Sequence, residues 1–352
     1  MAQPGEPKEA EVLKTPAILR RAPTKIFLSI PRKILQEKPG IGLGKFYSRL
    51  DLELRMLGAE VTMLPLSRQP HKRKGNRNKL IFLHNGAAEE PNVLNTALAY
   101  LDPYWHVDPD GVLGLSSAGK VPFVHDDVNK QDAAGFFRAQ RRNFVRERLS
   151  RYGQAREKVV IPEGCIAVFM QGDTHLTRRT MLPGSERMIR SVVEGAGGRP
   201  VVVKHHPLKT NPEDVAEVAA LRAEGADIHE VEANVHDILE ACVATVSISS
   251  ATCFEGFLHR RPAIFFGKSD LIGFAQAAHD GPSFAAALED GLTGNRSYMR
   301  FIYWYLTTHC ISLHSETFIQ QVLARAAAIG FDADRLGLDK KAVAALSAPQ
   351  IA

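Results

Sequence analysis

Short apolar, β-branched runs alternate along this chain with stretches whose apolar residues recur every three or four positions. Runs at 25–30, 61–66, 80–83, 166–170, 200–204, 227–231, 243–248 and 263–267 read as buried strands. Each is four to six residues long and stops abruptly at Gly, Pro or polar residues, the pattern of strands covered on both faces. Between them, Phe46, Leu50, Leu54 and Leu57 share one face of a helix that Gly58 closes. Further helices are expected over 92–101, 131–152, 186–194, 213–223, 235–241 and 251–260. In the 131–152 stretch Ala133, Ala134, Phe137, Phe144 and Val145 fall on one face. Arg141 and Arg148 lie in the same arc, either snorkelling at its margin or facing a cleft. Strand–helix alternation of this kind marks an α/β protein with parallel, doubly wound sheets. Past residue 267 the pattern turns helical, with Tyr298, Phe301, Tyr303, Trp304 and Tyr305 in one segment and Phe318, Val322, Ala326 and Ile329 in the next.

A chain of 352 residues has room for two such units, each with its own core. The polar connection that begins at Arg151-Tyr152-Gly153-Gln154 marks the division between them. The expected organisation is a polar leader over 1–24, a Rossmann-like domain over 25–155, a second over 156–296, and helices over 297–352, for which a return to the first domain stays open. Hydrophobic content of 45% and charged content of 24% suit a globular protein, and no apolar run is long enough to span a bilayer. The leader has no apolar core, so the chain is expected in the cytoplasm. Cys165, Cys242, Cys253 and Cys310 are far apart in sequence and read as reduced, buried thiols. No Cys-x-x-Cys or His-Glu-x-x-His spacing occurs, so no metal site is expected.

The formal charge of +5 is modest, and its densest stretch is His71 to Lys79. That stretch reads as a solvated loop or as a patch for anionic lipid head groups or a charged acceptor. Nucleic acid is not an expected partner, because no aromatic residues interleave the charges.

The chemistry-bearing residues gather where strands end. Lys204 and His206 close the 200–204 strand, and Ser249, Ser250 and Thr252 lie between the 243–248 strand and the following helix. A helix start with free amide groups and hydroxyls is an anion site, although Ser-Ser there is by itself an ordinary N-cap. Glu255 stands one turn into that helix, where it could accept hydrogen bonds from ribose or sugar hydroxyls. His84 ends the 80–83 strand, a position for acceptor binding or proton transfer. Asp110-Gly111 is either a turn or the site of an ionised base or nucleophile. Gly42 and Gly44 are expected in a loop lining the cleft, with a spacing that fits neither a dinucleotide fingerprint nor a P-loop.

Taken together these phrases resemble the capsule polysaccharide biosynthesis family of bacterial glycosyltransferases, which includes Kdo transferases and is distantly like bacterial sialyltransferases. His206-Pro207 resembles the family's His-Pro motif. Ser249-Ser250 with Phe254-Glu255, running into Arg260-Arg261-Pro262-Ala263-Ile264-Phe265-Phe266-Gly267, resembles its Ser/Thr–Glu motif. Asp110-Gly111 resembles its acidic Asp-Gly motif, although Pro109 precedes the aspartate and Val112-Leu113-Gly114 follow in place of the usual aromatic and Arg-Ser residues. Phe169-Met170-Gln171-Gly172-Asp173-Thr174 resembles the strand that opens its second half.

The resemblance covers residues 40 to 270 and implies a GT-B fold, with two Rossmann-like domains facing across a cleft. It implies a nucleotide-sugar donor, CMP-Kdo first among them, used as substrate with no cofactor. It assigns Asp110 as the catalytic carboxylate, His206 to the donor phosphate and Ser249 and Ser250 to phosphate or carboxylate. Lys204, Thr252 and Glu255 join the donor set, and Gln171, Asp173 and His84 the cleft. The acceptor would be a capsular polysaccharide, lipopolysaccharide or glycolipid, met at the inner face of the cytoplasmic membrane or in a polysaccharide assembly complex. The rival readings are a nucleotide-sugar epimerase on the same fold and an inactive glycan-binding or assembly subunit.

Overall fold

The computed structural model describes residues 24–36, 42–66, 78–172, 180 and 184–346. Among these residues the strands form two six-stranded sheets. The first holds β1 (Lys25–Ile30), β2 (Val61–Pro65), β3 (Lys79–His84), β4 (Val93–Leu98) and β5 (Tyr104–Asp108), joined from far along the chain by β12 (Ile311–Ser312). Their order is β12-β5-β4-β3-β1-β2. The pairs from β2 across to β4 are parallel, while β5 runs antiparallel to both β4 and β12.

The second sheet holds β6 (Ile166–Phe169), β7 (Val201–Lys204), β8 (Ile228–Glu230), β9 (Ala244–Ser247), β10 (Ala263–Phe265) and β11 (Gln276–Ala277). Its order is β11-β10-β9-β6-β7-β8, and every neighbouring pair is parallel. From β6 the chain winds to one side through β7 and β8, then returns and winds to the other through β9, β10 and β11. This is the doubly wound Rossmann order. Its reversal point lies between β6 and β9, whose carboxyl ends open the crevice where such sheets bind ligands.

The apolar runs become strands because both faces of this sheet are covered. Ile166 and Val168 enter one core with Met188, Val192 and Phe284, and Ala167 and Phe169 enter the opposite one with Leu239, Phe254 and Phe257. With successive side chains pointing to opposite faces, a strand buried on both sides has no polar positions to alternate.

Two expectations about local structure are corrected. Residues 92–101, expected to be helical, contain β4, which is buried along its whole length between β3 and β5. Its short apolar run has no 3.6-residue face, and hydrogen bonds to two neighbouring strands outweigh the helical preference of Leu and Ala. The helix expected over 131–152 ends at Gln140, widens to a π-turn over Arg141–Arg146, and gives way to an irregular strap. At that break Arg148 adopts φ +53°, and its guanidinium bonds Asp237 Oδ2 at 2.6 Å and the Arg156 carbonyl at 2.7 Å.

The chain crosses back after the second sheet. Helix Tyr298–Trp304 packs on helix Lys130–Gln140, with the Phe136 and Tyr303 rings 5.5 Å apart. Helix Phe318–Ala328 covers the first sheet, where Phe318 meets Phe46 and Phe46 stacks on Trp105 at 4.2 Å. A shared apolar core joins the two units, with Tyr100 stacked on Phe254 at 5.1 Å and Phe274 on Phe301 at 3.9 Å. At its edge Asp270, fully buried, accepts hydrogen bonds from the hydroxyls of Tyr100, Ser116 and Tyr305. The loop bearing Ser116 lies so close that a Cβ at Gly114 would sit 2.3 Å from the Lys268 carbonyl oxygen, which only glycine avoids. All four cysteines are free and buried. No helix among the described residues is long and apolar enough to cross a membrane.

Candidate active site

A cavity of about 750 Å³ lies between the two sheets, at the carboxyl ends of β6, β7 and β9. It takes lining from both units and from the strap that joins them. The crevice of the second sheet therefore faces the carboxyl end of β3 in the first.

On the second-sheet wall, Gln171 follows β6 and reaches across the reversal point. Its Oε1 accepts from the Ser249 backbone N–H at 2.6 Å, and the Thr180 and Ser249 hydroxyls lie 2.8 Å apart. Ser250 plays the ordinary cap, its hydroxyl accepting from the Thr252 N–H at 3.2 Å at the start of helix Ala251–Leu258. Lys204 ends β7, and burial lowers its ammonium pKa, opposed by Glu232 at 3.9 Å.

His206 is half-buried in the same wall. Its Nδ1 accepts from the Leu208 backbone N–H at 3.1 Å. A ring nitrogen that accepts carries no proton, so in the neutral ring the hydrogen is on Nε2, which becomes a donor. Burial, followed by the charges of Lys209 and Arg151, lowers the His206 pKa and favours that neutral form.

Glu255 lies at the cavity's base and is fully buried. Its Oε1 accepts from the Ser150 hydroxyl at 2.8 Å, while Oε2 has no hydrogen-bond partner. Burial pushes its carboxyl up to about 8, against smaller opposing effects of Ser150 and Arg151, so it is protonated at neutral pH. Behind it, His236 is 3.7 Å from Oε2 and is held by the Leu149 carbonyl at 2.7 Å and His259 at 3.0 Å.

The first-sheet wall presents His84 at the end of β3. Its Nδ1 lies 2.7 Å from the Tyr47 hydroxyl, which lies 2.8 Å from the Thr96 hydroxyl. Burial, and then the charge of Arg151, lowers the His84 pKa to about 4, so the ring is neutral under ordinary conditions. Glu90 also lines this wall, with Oε2 buried and without a hydrogen-bond partner.

The structure thus gathers His84, Gln171, Lys204, His206, Ser249, Ser250, Thr252 and Glu255 around one cavity. Asp110 does not line it. The Asp110 carboxylate pairs with Lys120 Nζ at 2.7 Å. Its neighbour Asp108 is buried and clamps the turn, accepting from the backbone N–H groups of Asp110, Gly111 and Ser117. The turn reading of Asp110-Gly111 accounts for this geometry. Gly42 and Gly44 also lie away from the lining: Gly42 adopts φ +54° in a turn and Gly44 begins helix Gly44–Met56. Asp173 and most of the basic stretch at 71–79 lie outside the described residues. The strap, with Ser150, Arg151, Tyr152 and Gln154, was missed as part of the site; the signal was an Arg-Tyr pair in the connection between domains. Among the described residues no group of three or more His, Cys, Asp and Glu side chains is placed to hold a metal ion.

A family model described as "Capsule polysaccharide biosynthesis protein" matches residues 173–276, the span that carries β7 to β10 and the strand ends at Lys204, His206 and Ser249. No curated protein matches the sequence. Among solved structures, a β-Kdo 2,7 transferase of Thermosulfurimonas dismutans, KpsC, is similar at 12% identity over 82% of this chain and 92% of that one, with a TM-score of 0.46. The β-Kdo 2,4 transferase of the same KpsC is similar at 14% identity over 80% and 89%, with a TM-score of 0.47. AviGT4, a glycosyltransferase of avilamycin A biosynthesis, is similar at 14% identity over 87% and 98%, with a TM-score of 0.39. The resemblance to the capsule polysaccharide biosynthesis family holds over residues 173–276, from β7 through β10, and the two facing Rossmann-like units form the GT-B-like arrangement expected with it.

Proposed function

We propose that this protein is a glycosyltransferase of capsule polysaccharide biosynthesis that moves a sugar from a nucleotide donor, CMP-Kdo first among them, to a glycan or glycolipid acceptor. The observation that carries this reading is that Lys204 and the Nε2–H donor of His206 line one cavity at the crevice of a Rossmann sheet, across from a neutral histidine. Lys204, His206 and Ser249 hold the anionic groups of the donor, and the phosphate leaves against them. Glu255, uncharged at neutral pH, is free to hydrogen-bond a ribose or sugar hydroxyl.

The acceptor enters from the first-sheet side. When His84 Nδ1–H donates to Tyr47, and Tyr47 passes its own hydrogen to Thr96, the His84 Nε2 carries a lone pair. His84 then takes the acceptor's hydroxyl proton as that oxygen bonds the anomeric carbon, and the nucleotide phosphate departs with the electron pair of the broken C–O bond. Asp110, paired with Lys120 outside the cavity, has no part in this step.

The test is a thermal-shift titration with CMP, UDP, GDP and ADP, followed by turnover of CMP-Kdo. A ligand at about one hundred times its Kd stabilises by roughly 2.7 kcal/mol. The expected result is a shift with CMP that His206→Ala largely removes. A shift with UDP or GDP alone would replace the donor, and no response to any nucleotide would overturn the reading.

A further inference from the structure

The strap between the two units is fastened on both sides of Arg151. Asn234 donates to the carbonyls of Arg148 and Ala155 at 3.2 Å each, and His236 Nε2 donates to the Leu149 carbonyl at 2.7 Å. The Val235 backbone N–H donates to Gln154 at 3.1 Å. These bonds tie the strap to the start of helix Val235–Ala241 at its beginning and end. Between the ties, Ser150 touches Glu255 at 2.8 Å and the Tyr152 ring lies 5.2 Å from the His206 ring. Arg151 stands between those two contacts and lines the cavity.

Among the described residues, Arg151 makes no hydrogen bond or ion pair, whereas Lys204 has Glu232 at 3.9 Å and Arg148 has Asp237 at 2.6 Å. Its charge acts on His84, His206 and Glu255, and all four residues line the one cavity. Glu255 is uncharged at neutral pH and does not neutralise it. An exposed guanidinium on a tethered strap inside a cavity, without a partner among the described residues, is suited to an oxyanion, because its planar fork of N–H donors matches phosphate and carboxylate alike.

We propose that Arg151, presented by the strap, binds an oxyanion of the substrate in the cleft. This rests on the glycosyltransferase reading and adds to it: the substrate carries an anionic group that reaches beyond the Lys204–His206 wall to the strap. Two sources share that chemistry, the phosphate of the nucleotide and the carboxylate of an acidic sugar.

Calorimetric titration of the full chain and of Arg151→Gln and Arg151→Lys with CMP, cytidine and free Kdo distinguishes them. Arg151 has an exposed side chain and no partner among the described residues, so both variants are expected to melt within about 1 °C of the wild type. Arg151→Gln should weaken one anionic probe about tenfold or more, with Arg151→Lys intermediate because a point charge replaces the fork. A loss confined to CMP, with cytidine unchanged, supports the phosphate. A loss confined to Kdo supports the carboxylate. Binding of both probes within about twofold of wild type by Arg151→Gln overturns the proposal, since a lost charge-assisted bond costs more. Wild-type protein that binds none of CMP, UDP, GDP and ADP overturns the glycosyltransferase reading itself, an outcome read before any variant is compared.

Discussion

The Tyr47 hydroxyl lies 2.7 Å from Nδ1 of His84, and both side chains are buried where β3 meets the cavity. The bond fixes the imidazole from behind, and on the proposed function Nε2 is its reactive atom. On the proposed function, His84→Gln should keep the CMP thermal shift and lose about a hundredfold or more in turnover, the range of general-base catalysis. Tyr47→Phe should lose less, with the change in kcat rather than KM, and should destabilise the fold by about 1 to 2 kcal/mol through an unpaired buried ring nitrogen. Added imidazole should restore part of the turnover of His84→Ala; wild-type rates in His84→Gln would remove His84 from the mechanism.

Asp110 sits on the opposite side of that argument. Its partner Lys120 is largely exposed, so the pair is screened by solvent. Asp110→Asn is expected to leave turnover within about threefold of wild type, as for other exposed ion pairs. A loss of two orders of magnitude, measured as CMP release from CMP-Kdo, would return the catalytic carboxylate to this position.

Asp270 joins both units and the returning helix through three hydroxyl donors. Asp270→Ala should destabilise by roughly 3 to 5 kcal/mol, because it leaves the buried hydroxyls of Tyr100 and Tyr305 unpaired. Ser116→Ala should cost about 1 kcal/mol. Denaturant unfolding measures both, and equal midpoints for wild type and Asp270→Ala would show that the shared core alone holds the units together.

Glu255 makes stability fall as pH rises. Its carboxyl titrates at about 8 in the fold against 4.5 when unfolded, so between those values the native state holds a proton that the unfolded state has released. The stabilisation is complete below the unfolded value and is lost as pH climbs through the folded one. Relative to Glu255→Gln, the wild type should lose on the order of 4 kcal/mol between pH 5 and pH 8. Chemical denaturation of both proteins across that range tests it; parallel pH profiles would place the titration elsewhere.

Much of this was legible along the chain. The second sheet follows from runs such as Ile166 to Met170 and Val201 to Lys204, whose length and abrupt polar ends are local properties. Gln171, Lys204, His206 and Ser249 come to line the cavity for the same reason, since a residue at the carboxyl end of a parallel strand is carried to the crevice by the strand itself. β4 was misread because Val93 to Leu98 is apolar without a period, and only its neighbours β3 and β5 decide that it is extended. The break after Gln140 was hidden because the helical face continues through Phe144 and Val145.

The sequence by itself determined the α/β alternation, the doubly wound second sheet and the polar residues at its strand ends, because each depends on residues close together in the chain. Tertiary structure alone decided that Arg151 enters the cavity, that Asp110 turns to Lys120, and that Glu255 is buried deeply enough to keep its proton. Those outcomes depend on contacts such as Arg148 with Asp237 and His236 with Leu149, whose partners are 89 and 87 residues apart. Nothing in the local pattern encodes which distant group a charge will meet, and that meeting sets both its position and its ionisation.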